Sequence, residues 1–173
     1  YAVPLRVGAG GGISTPSSAL GAFMMGADYV VTGSVNQAAL ESGSSPHTKK
    51  VLAQADMADV AMAPAADMFE MGVKVQVLKR GTMFPMRAQR LYELYVEHNS
   101  IDDIDPEERA KLEKQVFKRP LEDIWADTVK FFTERDPEQI QRAMDNPKRK
   151  MALIFRWYLG LSSRWSNIGE KGR

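Results

Sequence analysis

Two glycine-rich turns, each placed where a strand should end, constrain the fold of this 173-residue chain more than any other feature. The first turn, Gly10–Ile13, follows the largely apolar run 3–9. The second turn, Thr32–Ser34, follows the largely apolar run 27–31. This pattern predicts the order strand, glycine-rich loop, helix, strand, small-residue loop, helix.

The helix predicted between the two strands carries signals at both of its ends. Ser14 or Thr15 can cap its first turn, and Pro16 suits the first helical position. Gly26 can end the helix in a left-handed conformation. A capped helix between two apolar runs is typical of a strand–helix–strand unit with parallel strands.

Paired loops of this kind favour a phosphate site. In a (β/α)8 barrel, the loops after the last two strands often hold a phosphate, which backbone N–H groups and a helix N-terminus bind. An ordinary glycine-rich turn without a ligand is the other interpretation. A dinucleotide-binding Rossmann turn is disfavoured, because its third glycine position falls on Ile13 and because Asp28 begins its strand instead of ending it.

The length of the chain limits how much of a barrel it can form. A complete (β/α)8 barrel typically needs about 250 residues, and this chain has 173. Because it starts at Tyr1 and enters a predicted strand almost at once, we interpret it as the C-terminal portion of a larger protein. The expected fold class is α/β: the C-terminal part of a (β/α)8 TIM-type barrel, followed by a mostly α-helical subdomain.

Composition excludes several functional classes. The 23 basic and 22 acidic residues give a net charge of +1, so we expect no nucleic-acid partner. The absence of cysteine excludes disulfides and thiolate metal sites in this chain, and we expect no metal and a cytoplasmic protein. The apolar run 151–155 meets Arg156 and is far too short to span a membrane.

The chain is predicted to have three segments. Residues 1–45 hold the last two βα units of the barrel, residues 46–81 form a connecting segment with a helix and a short strand, and residues 82–173 form the helical subdomain. Apolar and polar residues alternate over 73–77, which predicts the short strand. The segment 58–71 stays ambiguous, because a proline interrupts any single helix there.

Helices in the last segment are predicted from apolar spacing and from proline start signals. The clearest start is Asp105–Pro106, a capping carboxylate before proline, with two glutamates after it. The helix predicted at 85–98 should bury one stripe, made of Ala88, Leu91, Tyr92 and Tyr95. Further helices are predicted at 48–57, at 120–134, after Asp136–Pro137, and from Asn146–Pro147 to about Ser163.

Three long runs of the sequence resemble one family. The runs Met25–Gln37, Ala63–Gly81 and Pro147–Tyr158 are similar to the PfaD family of flavin-dependent enoyl reductases, which is related to the nitronate monooxygenases. Members of that family serve polyunsaturated fatty acid and polyketide synthases. Their fold is a flavin-binding barrel with added helices.

The resemblance implies an FMN cofactor. The phosphate of FMN would rest on the backbone of Gly11, Gly12, Gly33 and Ser34, with Thr32 nearby. The resemblance also implies NADPH as the reductant and a 2-enoyl thioester on an acyl carrier protein as the substrate. A synthase partner and a homo-oligomer are further expectations. The catalytic residues stay unassigned, because the expected proton donor lies upstream of this chain.

Two alternatives remain open at this point. The first is a flavin oxidase of the nitronate monooxygenase type. The second is a non-catalytic helical module that docks on a synthase or carrier protein, with the α/β segment only a structural remnant. Retention of flavin separates the docking module from both enzymes, and NADPH-dependent reduction of an enoyl thioester separates the two enzymes.

Several other residues have both a functional and a plain structural interpretation. His47 is interpreted as a surface histidine instead of a catalytic acid. Asp67 and Glu70 could form an acid–base pair, but a loop cap and a solvated carboxylate are the preferred interpretation. Four bases could contact a cofactor phosphate or an acidic carrier protein, or be solvated charges: Lys74, Lys79, Arg80 and Arg87.

Apolar residues of unusual type are interpreted as core. The aromatic residues of 125–132 and 155–165 recur at helical spacing and are predicted to pack helices together. The ten methionines are interpreted as adaptable core filler, in preference to the wall of an acyl-chain site.

Overall fold

The computed structural model describes residues 3–171. The outer ends of the predicted segments, Tyr1–Ala2 and Gly172–Arg173, therefore lie outside the described residues. The chain divides into two compact units. The first contains residues 3–54 with 166–171, and the second contains residues 55–165.

The first unit contains the predicted strand–helix–strand motif. The strands pair in parallel, with Gly8 opposite Tyr29 and Gly10 opposite Val31. Two further helices follow the second strand. The elements are β1 (Gly8–Gly10), α1 (Pro16–Met24), β2 (Tyr29–Val31), α2 (Ser34–Gln37) and α3 (Pro46–Ala53).

Helix α1 begins and ends as its sequence predicts. The Oγ1 atom of Thr15 accepts the N–H of Ser18 at 3.2 Å, and the Oγ atom of Ser18 accepts the N–H of Thr15 at 3.1 Å. Pro16 occupies the first helical turn. Gly26 lies just beyond the helix with φ of 96°, which confirms the predicted left-handed stop.

The two parallel strands are less buried than predicted. Val7 is 68 % exposed and Val31 is 58 % exposed. Within residues 3–171, β1 and β2 pair only with each other. Strands of parallel sheets are normally covered on both faces, so the apolar residues of these strands lack the layers that would bury them. Barrel closure is not formed by the described residues.

The second unit combines an antiparallel hairpin with helices. The second half of the chain is mostly helical, as predicted, and the elements of the second unit follow in chain order. They are β3 (Val60–Pro64), β4 (Lys74–Leu78), α4 (Phe84–Glu97), α5 (Pro106–Lys111) with a π-helical turn at Leu112–Phe117, α6 (Leu121–Arg135), α7 (Pro137–Asp145) and α8 (Pro147–Ile168), of which residues 166–168 belong to the first unit.

Strand β3 resolves the segment that the sequence left ambiguous. It pairs with β4 so that Met62 lies opposite Gln76 and Pro64 opposite Lys74. Proline lacks a backbone N–H and is tolerated on an edge strand, which fits the place of Pro64 in this two-stranded sheet. The predicted strand over 73–77 is confirmed as β4.

Aromatic rings and one face of α4 form the core of the second unit. Ala88 and Leu91 are fully buried, as the predicted stripe requires, and Leu94 joins them. Phe155 packs edge-on against Phe69, with ring centroids 6.3 Å apart. The rest of the buried cluster includes Ile101, Ile104, Leu112, Phe117, Leu121, Ile124, Met151, Ile154 and Tyr158.

Candidate functional site

The two glycine-rich loops leave the same edge of the parallel strand pair. Because Gly10 lies opposite Val31 and the strands are parallel, their carboxyl ends coincide. Gly11 and Gly12 follow β1 directly, and Thr32–Ser34 follows β2. The sequence-predicted loops are therefore neighbours at one edge, where the loops of α/β sheets bind ligands.

Gly11 and Gly12 have backbone conformations that favour glycine. Their φ angles are 88° and 70°, a region that L side chains rarely adopt. A Cβ atom placed at either residue would meet no other atom within 4 Å. Both residues are exposed, so a ligand can approach the backbone here without displacing a side chain.

The second loop is held by a short hydrogen-bonded ring. The Oγ1 atom of Thr32 donates to Oδ1 of Asn36 at 3.1 Å. The Nδ2 atom of Asn36 donates to the carbonyl oxygen of Thr32, also at 3.1 Å. The Thr32 side chain therefore shapes the loop, and Asn36 is a positioning residue that the sequence did not single out.

The starts of α1 and α2 differ in a way that matters for anion binding. The side chains of Thr15 and Ser18 cap α1 from within the chain. Gly33 stands at the cap position of α2 and makes no side-chain capping bond. In this four-residue helix the N–H of Asn36 already donates to the carbonyl oxygen of Gly33 at 3.0 Å, which leaves the N–H groups of Ser34 and Val35 without a side-chain cap.

The predicted phosphate-binding residues offer backbone donors to an anion. Glycine backbone is exposed on both loops, the edge carries an uncapped helix start, and no side chain fills the space around Gly11, Gly12 and Gly33. The chemistry such an arrangement offers is hydrogen-bond donation to anionic oxygens. It supplies no acid, base or nucleophile of its own.

A basic segment at one end of the β3–β4 hairpin forms a second candidate surface. The N–H of Lys79 donates to the carbonyl oxygen of Asp59 at 2.8 Å. Arg80 pairs with the carboxylate of Asp59 at 2.9 Å. The N–H of Asp56 and then the Arg80 guanidinium lower the pKa of Asp59. The ion pair between Arg80 and Asp59 therefore helps to close the hairpin.

The four predicted bases do not form one cluster. Lys74 begins β4 and Lys79 follows its end, so the strand separates them by about 17 Å. Lys79 is exposed and Arg87 is half-buried on the first turns of α4. Lys79 and Arg87 remain as candidates, because in the chain they flank the exposed Met83 and Met86.

The remaining candidate residues take structural roles. Glu70 forms an ion pair with Arg156 at 3.3 Å, with both side chains about three-quarters buried. Asp67 is exposed and forms no ion pair with a described residue. His47 is exposed in the first turn of α3. These placements agree with a surface histidine, but Glu70 is paired, not solvated.

The interpretation of the methionines as core filler is wrong. Met151 is fully buried, while the other nine are at least 36 % exposed. Six of the nine lie between Met57 and Met86, around the β3–β4 hairpin and the start of α4. The sequence reasoning missed this surface because an isolated methionine carries no periodic signal of burial.

A polar cleft in the second unit was also missed. Its volume is about 700 Å³, and its walls include Tyr95, Asn99, Lys148 and Arg149. The signal in the sequence was the basic run after Pro147 at the start of a helix, where acidic residues are normally favoured. The run alone does not predict a cleft, because the partner of Lys148 at the cleft, Asn99, lies 49 residues away in the chain.

No described helix has both the length and the apolar character that a membrane span requires.

Comparison with known families finds a match for the helical half of the chain. Residues 98–173 match the family model described as acyl-carrier-protein S-malonyltransferase, inserted helical domain. This match covers α5 to α8 and leaves the glycine-rich loops outside it.

Comparison with curated proteins finds relatives over almost the whole chain. One component of the polyunsaturated fatty acid synthase of Thraustochytrium sp. is 55 % identical over 98 % of this chain. The polyketide biosynthesis protein PksE of Bacillus subtilis is 49 % identical over 99 % of it. The chain spans 8 % and 22 % of these relatives' lengths.

A solved structure shares the fold. The enoyl reductase domain of MlnA, from the macrolactin biosynthesis cluster of Bacillus amyloliquefaciens, superposes with a TM-score of 0.88 and 40 % sequence identity. The match covers 99 % of this chain and 38 % of that chain.

Proposed function

Because this chain belongs to the PfaD-like enoyl reductases, we propose that it forms the phosphate-binding edge and the helical part of an FMN-dependent reductase of enoyl thioesters. The relatives are components of polyunsaturated fatty acid and polyketide synthases, and one matched structure is an enoyl reductase domain. The activity, the substrate and the partners of the whole protein are part of this proposal.

One observation carries the proposal. The two glycine-bearing loops lie side by side at the carboxyl edge of parallel strands, next to the uncapped start of α2. Gly11, Gly12, Gly33 and Ser34 would bind the FMN phosphate through backbone N–H groups, and Thr32 would hold the second loop in shape. When bound, FMN would supply hydride transfer from NADPH to the β-carbon of the enoyl thioester.

The chain's own share of the chemistry is binding and orientation. The loops fix the phosphate end of the cofactor, and the absence of side chains there allows close approach of the backbone. We assign no proton donor to the described residues. The helical part, with its rigid aromatic core, would serve to support the hairpin surface.

The phosphate site is tested by a charge substitution with an isosteric control. Gly12→Asp places a carboxylate beside the phosphate, whereas Gly12→Asn has almost the same shape without the charge, and both residues tolerate positive φ better than other L residues. We expect Gly12→Asp to lose at least about tenfold in flavin affinity relative to Gly12→Asn. Flavin absorbance of the purified intact protein, with circular dichroism to verify folding, measures the effect.

A second pair of variants controls for backbone strain. Gly33→Asp should act like Gly12→Asp, because Gly33 lies on the other loop. Gly81→Asp should retain flavin, because Gly81 has φ of 69° but lies in the hairpin segment of the second unit. Full flavin occupancy in folded Gly12→Asp and Gly33→Asp proteins would refute the assignment.

Two assays separate the proposed reaction from its alternatives. NADPH-dependent reduction of a crotonyl thioester supports an enoyl reductase, and oxidation of a nitronate without thioester reduction supports the oxidase. A folded intact protein that binds no flavin supports the docking module instead.

We also propose that the end of the hairpin contacts the carrier protein. Acyl carrier proteins are typically acidic, so exposed bases beside apolar side chains suit the docking of such a partner. Lys79 is exposed, and Met83 and Met86 are 50 % and 64 % exposed. Arg80 is excluded from this role, because it pairs with Asp59.

Charge reversal tests the docking surface. Lys79→Glu with Arg87→Glu should raise the KM for a carrier-bound enoyl substrate several-fold at low salt, and less at physiological salt, because salt screens rim charges. Turnover of a small thioester should stay nearly unchanged. Lys74→Glu, at the other end of β4, is the matched control. Equal losses with both substrates would show that the residues act on folding or on the cofactor.

A further inference from the structure

The polar cleft of the second unit has the properties of a ligand site. Its volume of about 700 Å³ lies within the range of small-molecule sites. Four separate segments build it: the 3-10 turn Phe69–Met71, the end of α4, the loop that follows, and the start of α8. The lining residues are Glu70, Tyr95, Asn99, Ser100, Asp103 and Asn146–Arg149.

Positive charge dominates the α8 wall of the cleft. This 22-residue helix has no acidic residue in its first turn and places Lys148, Arg149 and Lys150 there. Positive side chains at a helix N-terminus are unfavourable, because the helix dipole already makes that end positive. An anion in the cleft would offset the repulsion between these bases and the positive end of the helix dipole.

The Lys148 ammonium lies close to two other residues that line the cleft. It lies 4.9 Å from the centre of the Tyr95 ring and 3.5 Å from Oδ1 of Asn99. Its neighbour Lys150 instead lies 5.2 Å from the Trp125 ring and is not part of the lining. The two lysines therefore lie in the same helical turn but contact different residues.

The acidic residues of the cleft are engaged with protein groups. Glu70 pairs with Arg156 at 3.3 Å. Asp103 accepts the N–H of Asn99 at 3.2 Å. The lining holds two bases and two acids. Arg156, which lies outside the lining, balances Glu70, so Lys148 and Arg149 are opposed by Asp103, and the helix start adds positive potential.

Arg149 retains unused hydrogen-bonding capacity at the cleft. Its guanidinium donates to Oε1 of Gln139, and its backbone N–H donates to Oδ1 of Asn146. Among the described residues, its Nε is the one buried side-chain nitrogen or oxygen without a hydrogen-bond partner. A buried unpaired donor of this kind is costly.

We propose that this cleft binds the phosphate group of a small molecule, with Lys148 and Arg149 as its cations and Asn99 and Ser100 as polar contacts. The bases of the lining come from the first turn of a long helix. The room beyond one anion suits an organic phosphate instead of a bare ion.

The source of the phosphate rests on the proposed function, which supplies two candidates. One is the 2′-phosphate of NADPH, and the other is the phosphate of a carrier protein's pantetheine arm. Phosphate binding in the cleft does not depend on whether the glycine-rich loops bind a flavin. Binding is therefore measured in the intact protein and in its Gly12→Asp variant, where the proposed flavin-phosphate loop is blocked.

The experiment titrates inorganic phosphate, 2′-AMP and phosphopantetheine by calorimetry at low salt. We expect one of the two organic phosphates to bind more tightly than inorganic phosphate, which identifies the source. Lys148→Ala should weaken binding by about tenfold, and Lys150→Ala, which removes the same charge from the same helical turn, by less than about twofold. Asn99→Asp, an isosteric change, should abolish binding without removing Lys148.

The outcomes decide the proposal in either direction. Equal weakening by Lys148→Ala and Lys150→Ala would overturn it, since a general positive field would then explain the binding. Absence of phosphate binding in both the intact protein and Gly12→Asp would also overturn it. Phosphate binding that persists in a Gly12→Asp protein retaining its flavin would support the cleft while refuting the flavin site.

Discussion

At the scale of single residues, one glycine of the second unit is constrained both by its backbone conformation and by a neighbouring side chain. Gly72 has φ of 70° and ends the 3-10 turn Phe69–Met71 by donating its N–H to the carbonyl oxygen of Phe69 at 3.0 Å. A Cβ atom built on Gly72 would lie 2.3 Å from the hydroxyl oxygen of Tyr92. Gly81 has φ of 69°, but its Cβ would meet nothing within 4 Å.

These two glycines give a matched pair of substitutions. Gly81→Ala should cost about 1–2 kcal/mol of unfolding free energy from backbone strain alone. Gly72→Ala should cost about 1–3 kcal/mol more, because the Tyr92 side chain must move within a packed aromatic cluster. Denaturant unfolding of both variants measures the difference. Equal losses would show that Tyr92 moves aside freely.

At the scale of elements, the local sequence determines where several helices begin. Five of the described helices have proline at their first position, and Asp105 caps α5 by accepting the N–H groups of Glu107 and Glu108 at 2.9 and 3.3 Å. Because capping depends on a few consecutive residues, the starts of α1, α5, α7 and α8 could be predicted.

Capping of α5 leads to a prediction at this scale. Asp105→Ala should lower the unfolding free energy of the second unit by about 1 kcal/mol, and Asp105→Asn by less, because asparagine keeps an accepting oxygen. Hydrogen exchange of the α5 amides reports the local effect. Asp123→Ala, an exposed acidic residue in the first turn of α6, is the control. Equal protection in Asp105→Ala and wild type would contradict the role of the cap.

What the sequence could not predict depends on contacts between distant segments. Strand β3 is identified by its pairing with β4, not by its Ala-rich composition. The cleft joins Asn99 to Lys148, which no local pattern links. The loop residues of the phosphate site were predictable because glycine marks backbone conformation directly, whereas Asn36 was missed because its role depends on the folded loop.

At the scale of the whole molecule, the first unit leaves an unusual amount of apolar surface exposed. Leu5, Val7, Leu20, Met24 and Val31 are all at least 58 % exposed. The burial predicted for these strands required neighbours that residues 3–171 do not supply. Surfaces of this kind promote association when nothing covers them.

The isolated 173-residue chain should therefore associate or aggregate, and it should bind FMN weakly. Sedimentation and flavin titration of the isolated chain measure both properties. Val7→Lys with Val31→Lys should reduce association, since charges on exposed strands oppose pairing between copies. A monomeric wild-type chain with stoichiometric, tight FMN binding would refute the incomplete-barrel interpretation.

The exposed methionines give the surface a chemical property of its own. Peroxide converts an accessible thioether into a polar sulfoxide. The oxidation rate of each of the nine exposed methionines therefore reports whether that side chain is covered by a contact. The buried Met151 is the internal standard. Mass-spectrometric footprinting would read which sulfur atoms become shielded in the intact protein or when a carrier protein docks. Oxidative stress would, by the same reaction, turn this apolar surface hydrophilic and weaken whatever contacts it makes.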